Sequence, residues 1–186
     1  MKGIIFNLLE EVVIDQHGEA AWDDLLDTTG LAGSYTSLGS YPDGEIEKLI
    51  TAGAQTLGMS PEGVLRWFGR EAMARLAGRY PAFFTGHNTT LPFVQSVNSI
   101  IHPEVRKLYS GAHCPDFRFE HKPDGALLMT YTSPRKLCAL AQGFIEGAGD
   151  YFKEKIDVEH LSCMHKSDPK CVLSIRVVGT VAADAA

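Results

Sequence analysis

The spacing of apolar residues changes once along this chain, and that change limits the folds open to it. Up to about residue 110 apolar positions recur at helical spacing. Ile4, Ile5, Leu8, Leu9 and Val12 share one helix face, with Gly18 as a stop. Trp22 to Leu26 reads as a short helix. A loop rich in Gly, Ser and Thr then leads through Tyr41-Pro42-Asp43-Gly44 to a helix over Glu45 to Leu57. Ser60-Pro61 is an N-cap with proline in the first turn, opening a helix through Val64, Leu65, Phe68, Ala72, Met73 and Leu76 that ends near Gly78. From Pro92 onward, Val94, Val97, Ile101, Val105 and Leu108 form another stripe. That helix contains His102 and, beside it, Pro103, an interior proline that deletes a backbone hydrogen bond and bends the helix.

Past Gly111 the spacing shortens to that of strands. Phe117 and Phe119 alternate with Arg118 and Glu120, Lys122-Pro123-Asp124-Gly125 is a turn, and Leu127, Met129 and Tyr131 alternate on the return. Pro134 is expected to open a helix through Leu137, Leu140, Ala141, Phe144, Ile145, Ala148 and Phe152. Two more strands are expected near Val158 to Met164 and Val172 to Val178. The fold class is therefore α+β: a helical N-terminal lobe (about 1–60 and parts of 61–90) and a C-terminal lobe (about 91–180) of antiparallel sheet and helices. With no repeat and no linker, 1–180 reads as one domain, followed by a disordered tail at 181–186. His102 falls near the seam between lobes, where ligand pockets tend to form.

The formal net charge of -6 leaves no basic excess for phosphates, which argues against nucleic-acid binding. No apolar run approaches the roughly 18 residues of a membrane span. Glu10 and Glu11 interrupt the apolar start, so it is a poor signal peptide, and the chain reads as cytoplasmic. Cysteines in that compartment are reduced thiols or metal ligands rather than disulfides.

Two features carry chemistry. In extended chain, Tyr131, Ser133 and Arg135 face one side and offer a phenol, a hydroxyl and a guanidinium, a set suited to a carboxylate or phosphate. The N-terminal amides of the following helix would add to that anion site. Read alone, Ser133 is equally a helix cap and Arg135 a solvated charge. His102, read alone, is either a satisfied core histidine or an axial haem ligand.

Their spacing joins them. His102, twelve residues, Pro115, fifteen residues and Tyr131-x-Ser133-x-Arg135 resemble the H-NOX family of haem nitric-oxide/oxygen-binding domains, related to the sensor domain of soluble guanylate cyclase. The start Met1-Lys2-Gly3-Ile4-Ile5 and the run Ile101 to Leu108 are also similar to that family. The resemblance implies a stand-alone bacterial-type domain with haem b between the lobes. In it His102 is the iron ligand, Tyr131, Ser133 and Arg135 bind the propionates, and Ile5 and Pro115 press on the porphyrin. Family members that hold O₂ place a tyrosine where Leu140 aligns here. Leu140 offers no donor, and neither do Leu137, Ala141 and Phe144. A hydrogen bond to a charged group is worth roughly 1.5–3 kcal/mol, so NO and CO are expected ligands and O₂ is discriminated against.

Cys138, His160, Cys163 and Cys171 match a closed structural Zn²⁺ site of three thiolates and one imidazole, with His165 as runner-up to His160. Residues 160 and 163 point to opposite faces of a regular strand, so the backbone must bend there. Some bacterial H-NOX proteins resemble this chain in carrying such a site. The other reading makes the thiols small core residues. The expected function is a non-enzymatic NO sensor, since no distal His–Arg pair is evident. The resemblance implies a separately encoded partner, a histidine kinase or a diguanylate cyclase/phosphodiesterase. The alternative is a zinc- and thiol-based redox regulator of the same partner, with haem secondary.

Overall fold

The computed structural model describes residues 1–181. It has the α+β fold that the two periodicities predict. Helices α1 (Gly3–His17), α2 (Glu19–Thr29), α3 (Asp43–Leu57) and α4 (Pro61–Arg79) come first. Their apolar faces meet in one core through Phe6, Leu8, Val12, Trp22, Ile46, Leu49, Val64 and Phe68. Gly18, at φ 87°, separates α1 from α2. At the start of α4 the Ser60 side chain accepts the Gly63 N–H at 3.1 Å, the cap that Ser-Pro announces. α2 extends past Trp22 to Leu26 at both ends. Trp22 is its one buried residue, so its polar flanks carry little periodic signal.

The His102 segment follows. α5 (Thr90–Ser96) passes through a π-helical turn, Val97–Ile101, into α6 (His102–Leu108). Proline explains the wide turn. In α-geometry the Pro103 ring would strike the carbonyl four residues back and supply no N–H. Here the His102 N–H instead reaches the Val97 carbonyl, five residues back. The expected bend is thus a bulge on the N-terminal side of the proline.

Strands β1 (Asp116–His121), β2 (Leu127–Thr132), β3 (Glu154–Ser162) and β4 (Cys171–Thr180) form one antiparallel sheet in the order β1-β2-β4-β3. The turn between β1 and β2 places Gly125 at φ 84°. Pairing Phe117 with Tyr131 and Met129 with Leu173 lines up the apolar side chains of the sheet. Helix α7 (Cys138–Tyr151) adds Ile145 and Ala148 to the core they form.

Two boundaries differ from expectation. α7 begins at Cys138, not Pro134. Ser133 Oγ accepts the Arg135 N–H at 3.3 Å, the Lys136 N–H reaches the Ser133 carbonyl at 3.2 Å, and Lys136 sits at φ 51°, so 133–136 form a turn. Strand β3 begins at Glu154, earlier than Val158, and loses register between His160 and Ser162. Cys163 then leads into a short 3₁₀ turn, Met164–Lys166. Of the tail expected to be disordered, residues 182–186 lie outside the described residues.

Helices α4 and α7 cross almost backbone to backbone, and glycine permits it. A Cβ at Gly143 would overlap the Arg66 carbonyl, and one at Gly147 would come within 2.5 Å of the Arg70 carbonyl. A Cβ at Gly69 would come within 2.6 Å of the Leu140 carbonyl. Arg66 also reaches across to Glu146 at 2.8 Å, and Arg70 to Asp150 at 2.5 Å. Gly143→Ala is expected to lower stability by about 1–3 kcal/mol in urea unfolding, because an added methyl has no space. Gly78→Ala, where nothing lies within 4 Å, should raise it by roughly 0.5–1 kcal/mol. Equal stability of the two variants would contradict this account of the crossing.

Candidate functional site

A cavity of about 490 Å³ opens between the two cores, within the usual range for a ligand pocket of roughly 300–1,000 Å³. Its walls are mostly apolar: Ile4, Ile5 and Leu8 from α1, Met73 and Leu76 from α4, Leu140, Ala141 and Phe144 from α7, and Phe117 and Met129 from the sheet. All eight residues assigned to a haem pocket from sequence line it: Ile5, His102, Pro115, Tyr131, Ser133, Arg135, Leu140 and Phe144. The stripe Val94, Val97, Ile101, Val105 and Leu108 lines it too, so His102 lies within the apolar face that reaches the cavity.

His102 is held neutral. Burial, aided by the nearby Arg106 guanidinium, lowers its pKa from 6.5 to about 4. Its Nδ1 is buried with no hydrogen-bond partner, and its ring lies 5.3 Å from that of Phe117. A neutral imidazole with no structural bond to satisfy is the form that ligates a metal.

The polar group is pre-set by local structure. The Tyr131 hydroxyl accepts the Leu137 N–H at 2.9 Å, and Ser133 Oγ accepts the Arg135 N–H. These bonds orient both hydroxyls, and a side-chain bond from Ser133 to Tyr131 leaves the phenol proton free to donate. Burial raises the Tyr131 pKa, so that proton stays in place. Arg135 donates from Nε to Asp43 Oδ2 and from Nη1 to the His113 carbonyl, both at 2.8 Å. The expected contribution of helix amides is not made: α7 starts too late, and the Leu137 N–H is already taken by Tyr131.

Two features of the site escaped sequence reasoning. Asp43, in the first turn of α3, joins Arg135 to the Met1 ammonium, 2.5 Å away. Burial opposes its ionisation, but the hydrogen bonds from Met1 and Arg135 outweigh that and hold its pKa below the ordinary value. Tyr80 and Tyr109 both line the cavity, and their hydroxyls lie 2.5 Å apart. Pairings across such separations leave no trace in periodicity or motif spacing.

The residues present fit haem. They combine a largely apolar cavity, one neutral imidazole for iron, and hydroxyl and guanidinium donors for carboxylates.

The second candidate site forms in part. The Cys138, Cys163 and Cys171 sulfurs lie within 4.8 Å of one another, with Cys138–Cys163 at 3.7 Å and Cys163–Cys171 at 3.9 Å. The bend after β3 foreseen from sequence does occur, but it brings in Cys163 and not His160. The His160 Nε2 lies 3.0 Å from Gln142 Oε1, in a chain that continues through Glu146 to Arg66. The runner-up His165 is bound to the Lys136 carbonyl at 2.7 Å. Burial raises the Cys138 pKa, with the Cys171 and Cys163 thiols adding to it, and burial also raises that of Cys171 against the hydrogen bonds from the Met164 N–H and Cys138.

Comparison with known proteins agrees with this geometry. The family model described as haem-NO-binding matches residues 2–160. The crystal structure of an H-NOX protein from S. oneidensis in the Fe(II)NO ligation state is similar at 34% identity and a TM-score of 0.89, over 95% of this chain and 99% of that one. The NMR structure of the H-NOX domain from Shewanella oneidensis in the Fe(II)CO state is similar at 34% identity and a TM-score of 0.86, over 95% and 98%. The unliganded Fe(II) H-NOX protein from K. algicida, at 23% identity, shares the fold, with a TM-score of 0.84 over 99% and 100%. No curated protein matches significantly. The chain belongs to the haem-NO-binding, or H-NOX, family.

Proposed function

We propose that this protein is a non-enzymatic nitric-oxide sensor, with residues 1–180 acting as one haem-binding unit. The observation that carries the reading is His102. It is neutral and unpartnered at Nδ1, in the same cavity as the Tyr131, Ser133 and Arg135 donors. Ferrous haem b would supply the gas-binding iron. His102 would hold it, the three donors would take its propionates, and Ile5 and Pro115 would press on its plane. Leu140 and Phe144 would line the gas side without offering a donor. The S. oneidensis relatives carrying NO and CO support the ligand class.

Signalling would pass to a separate histidine kinase or diguanylate cyclase/phosphodiesterase. No helix among the described residues is long and apolar enough to cross a membrane, in keeping with action in the cytoplasm.

The ferrous protein should show a Soret band that NO and CO shift and that air leaves without a stable oxy form. His102→Ala should abolish the band and Cys163→Ala should keep it. Leu140→Tyr should raise O₂ affinity about ten- to a hundred-fold. A stable oxy spectrum in the unaltered protein would overturn the selectivity. Pro103→Ala should let the π turn relax toward α-geometry and shift the iron–histidine stretch. An unchanged stretch would remove Pro103 from the account.

A second reading has its own observation. Zinc bonded to sulfur at about 2.3 Å in a tetrahedron sets its sulfurs about 3.8 Å apart, close to the two separations here. We propose that the three thiols bind Zn²⁺ with a fourth ligand, His160 after it leaves Gln142, or His165. A zinc- and thiol-responsive regulator is the alternative function. Protein purified without chelator should hold one zinc per chain and lose it in Cys138→Ser. Absence of zinc in that preparation would end this reading.

A further inference from the structure

The segment that carries His102 is fastened at both ends, and the two ends are fastened to different elements. At its start, the Thr90 N–H donates to Glu154 Oε2 at 2.7 Å, at the beginning of β3. Farther along, Asn98 Nδ2 donates to the Phe117 carbonyl at 3.0 Å, in β1. Both ties are to the sheet. Beyond α6 the partners change. The Tyr109 hydroxyl meets that of Tyr80, the residue that caps α4, and Lys2 Nζ reaches the Ser110 carbonyl at 3.3 Å from the start of α1. These ties are to the end of α4 and the start of α1. Asn98 is inside the π turn, so the remainder of that turn and Pro103 separate the two sets. His102 is the first residue of α6, on the side held by α4 and α1.

The two ties on that side are unequal. The Lys2 bond is exposed and long, and the same ammonium also serves the Leu38 carbonyl and Ser40. Tyr109 is only 7% exposed, and its bond to Tyr80 is short. In a buried setting a lost partner leaves a hydroxyl unsatisfied, so this tie resists opening more than the exposed one.

We propose that Tyr80 and Tyr109 are positioning residues for His102: their hydroxyl pair clamps the C-terminal end of α6 to α4 and opposes release of His102 from its iron. The inference rests on the haem reading above. The bond exists in the arrangement that holds His102 in the cavity, so removing it favours departure from that arrangement. The π turn is the joint that lets α6 move while α5 stays on the sheet. Phenylalanine at either position keeps the ring, including the packing of Tyr80 on Phe83 at 5.9 Å, and deletes only the hydroxyl.

The test mixes ferrous protein with NO and follows the change from six- to five-coordinate iron by absorption, in both rate and extent. Tyr80→Phe and Tyr109→Phe should each raise the rate or the five-coordinate fraction roughly two- to tenfold, the worth of one hydrogen bond. The double variant should go no further than either single one, since one bond is lost in all three. Amide exchange on the same samples should speed up over residues 103–110 and stay unchanged over 90–96. Unchanged release in variants that carry full haem, or effects that add in the double variant, overturns the clamp and leaves the haem reading intact. Unchanged exchange over 103–110 overturns it even where a variant takes up haem poorly. A parent protein with no Soret band is the separate failure of the haem reading.

Discussion

The close crossing of α4 and α7 is the contact on which the rest of the structure depends. Each of the two helices belongs mainly to a different core, and glycines at 69, 143 and 147 let their backbones meet. That contact fixes how the helical core sits on the sheet core. The cavity is the space left beside it, lined from one side by α1 and α4 and from the other by the sheet and the His102 segment. Leu140 and Phe144 lie on the turns of α7 that make this crossing, so one helix both joins the cores and lines the cavity. A shift at the crossing therefore changes the pocket directly.

The His102 segment adds a second constraint. A proline next to His102 excludes regular α-geometry, and the chain answers with a π turn instead of a break. The apolar stripe stays turned to the cavity through it. Electrostatics then sort the pocket into two regions. Burial keeps His102 neutral among apolar neighbours. Arg135, Asp43 and the Met1 ammonium form a linked group in which two cations flank one anion, leaving net positive charge for an anionic edge.

Much of this was legible in the sequence because it rests on local rules. The switch in periodicity near Gly111 gave the fold class, Ser60-Pro61 marked a helix start, and Gly125 marked a hairpin. The spacing from His102 through Pro115 to Arg135 picked out residues that do share one cavity. The misses concern through-space pairing and turn chemistry. Pro134 looked like a helix start, but the side chain of Ser133 and the backbone of Lys136 make a turn that delays α7 to Cys138. His160 looked like a fourth metal ligand. The buried Gln142 offers it a hydrogen bond, and nothing in ligand spacing reveals that competitor. The pairs Asp43–Arg135 and Tyr80–Tyr109 depend on how the two cores dock, which no local window contains.

The central claim is that iron in this cavity is held by His102. Resonance Raman spectra of the gas-free ferrous protein test it most directly. The account predicts an iron–imidazole stretching band that disappears in His102→Gly and returns when free imidazole fills the space. A band that persists in His102→Gly without added imidazole would contradict it, because the iron would then have another ligand.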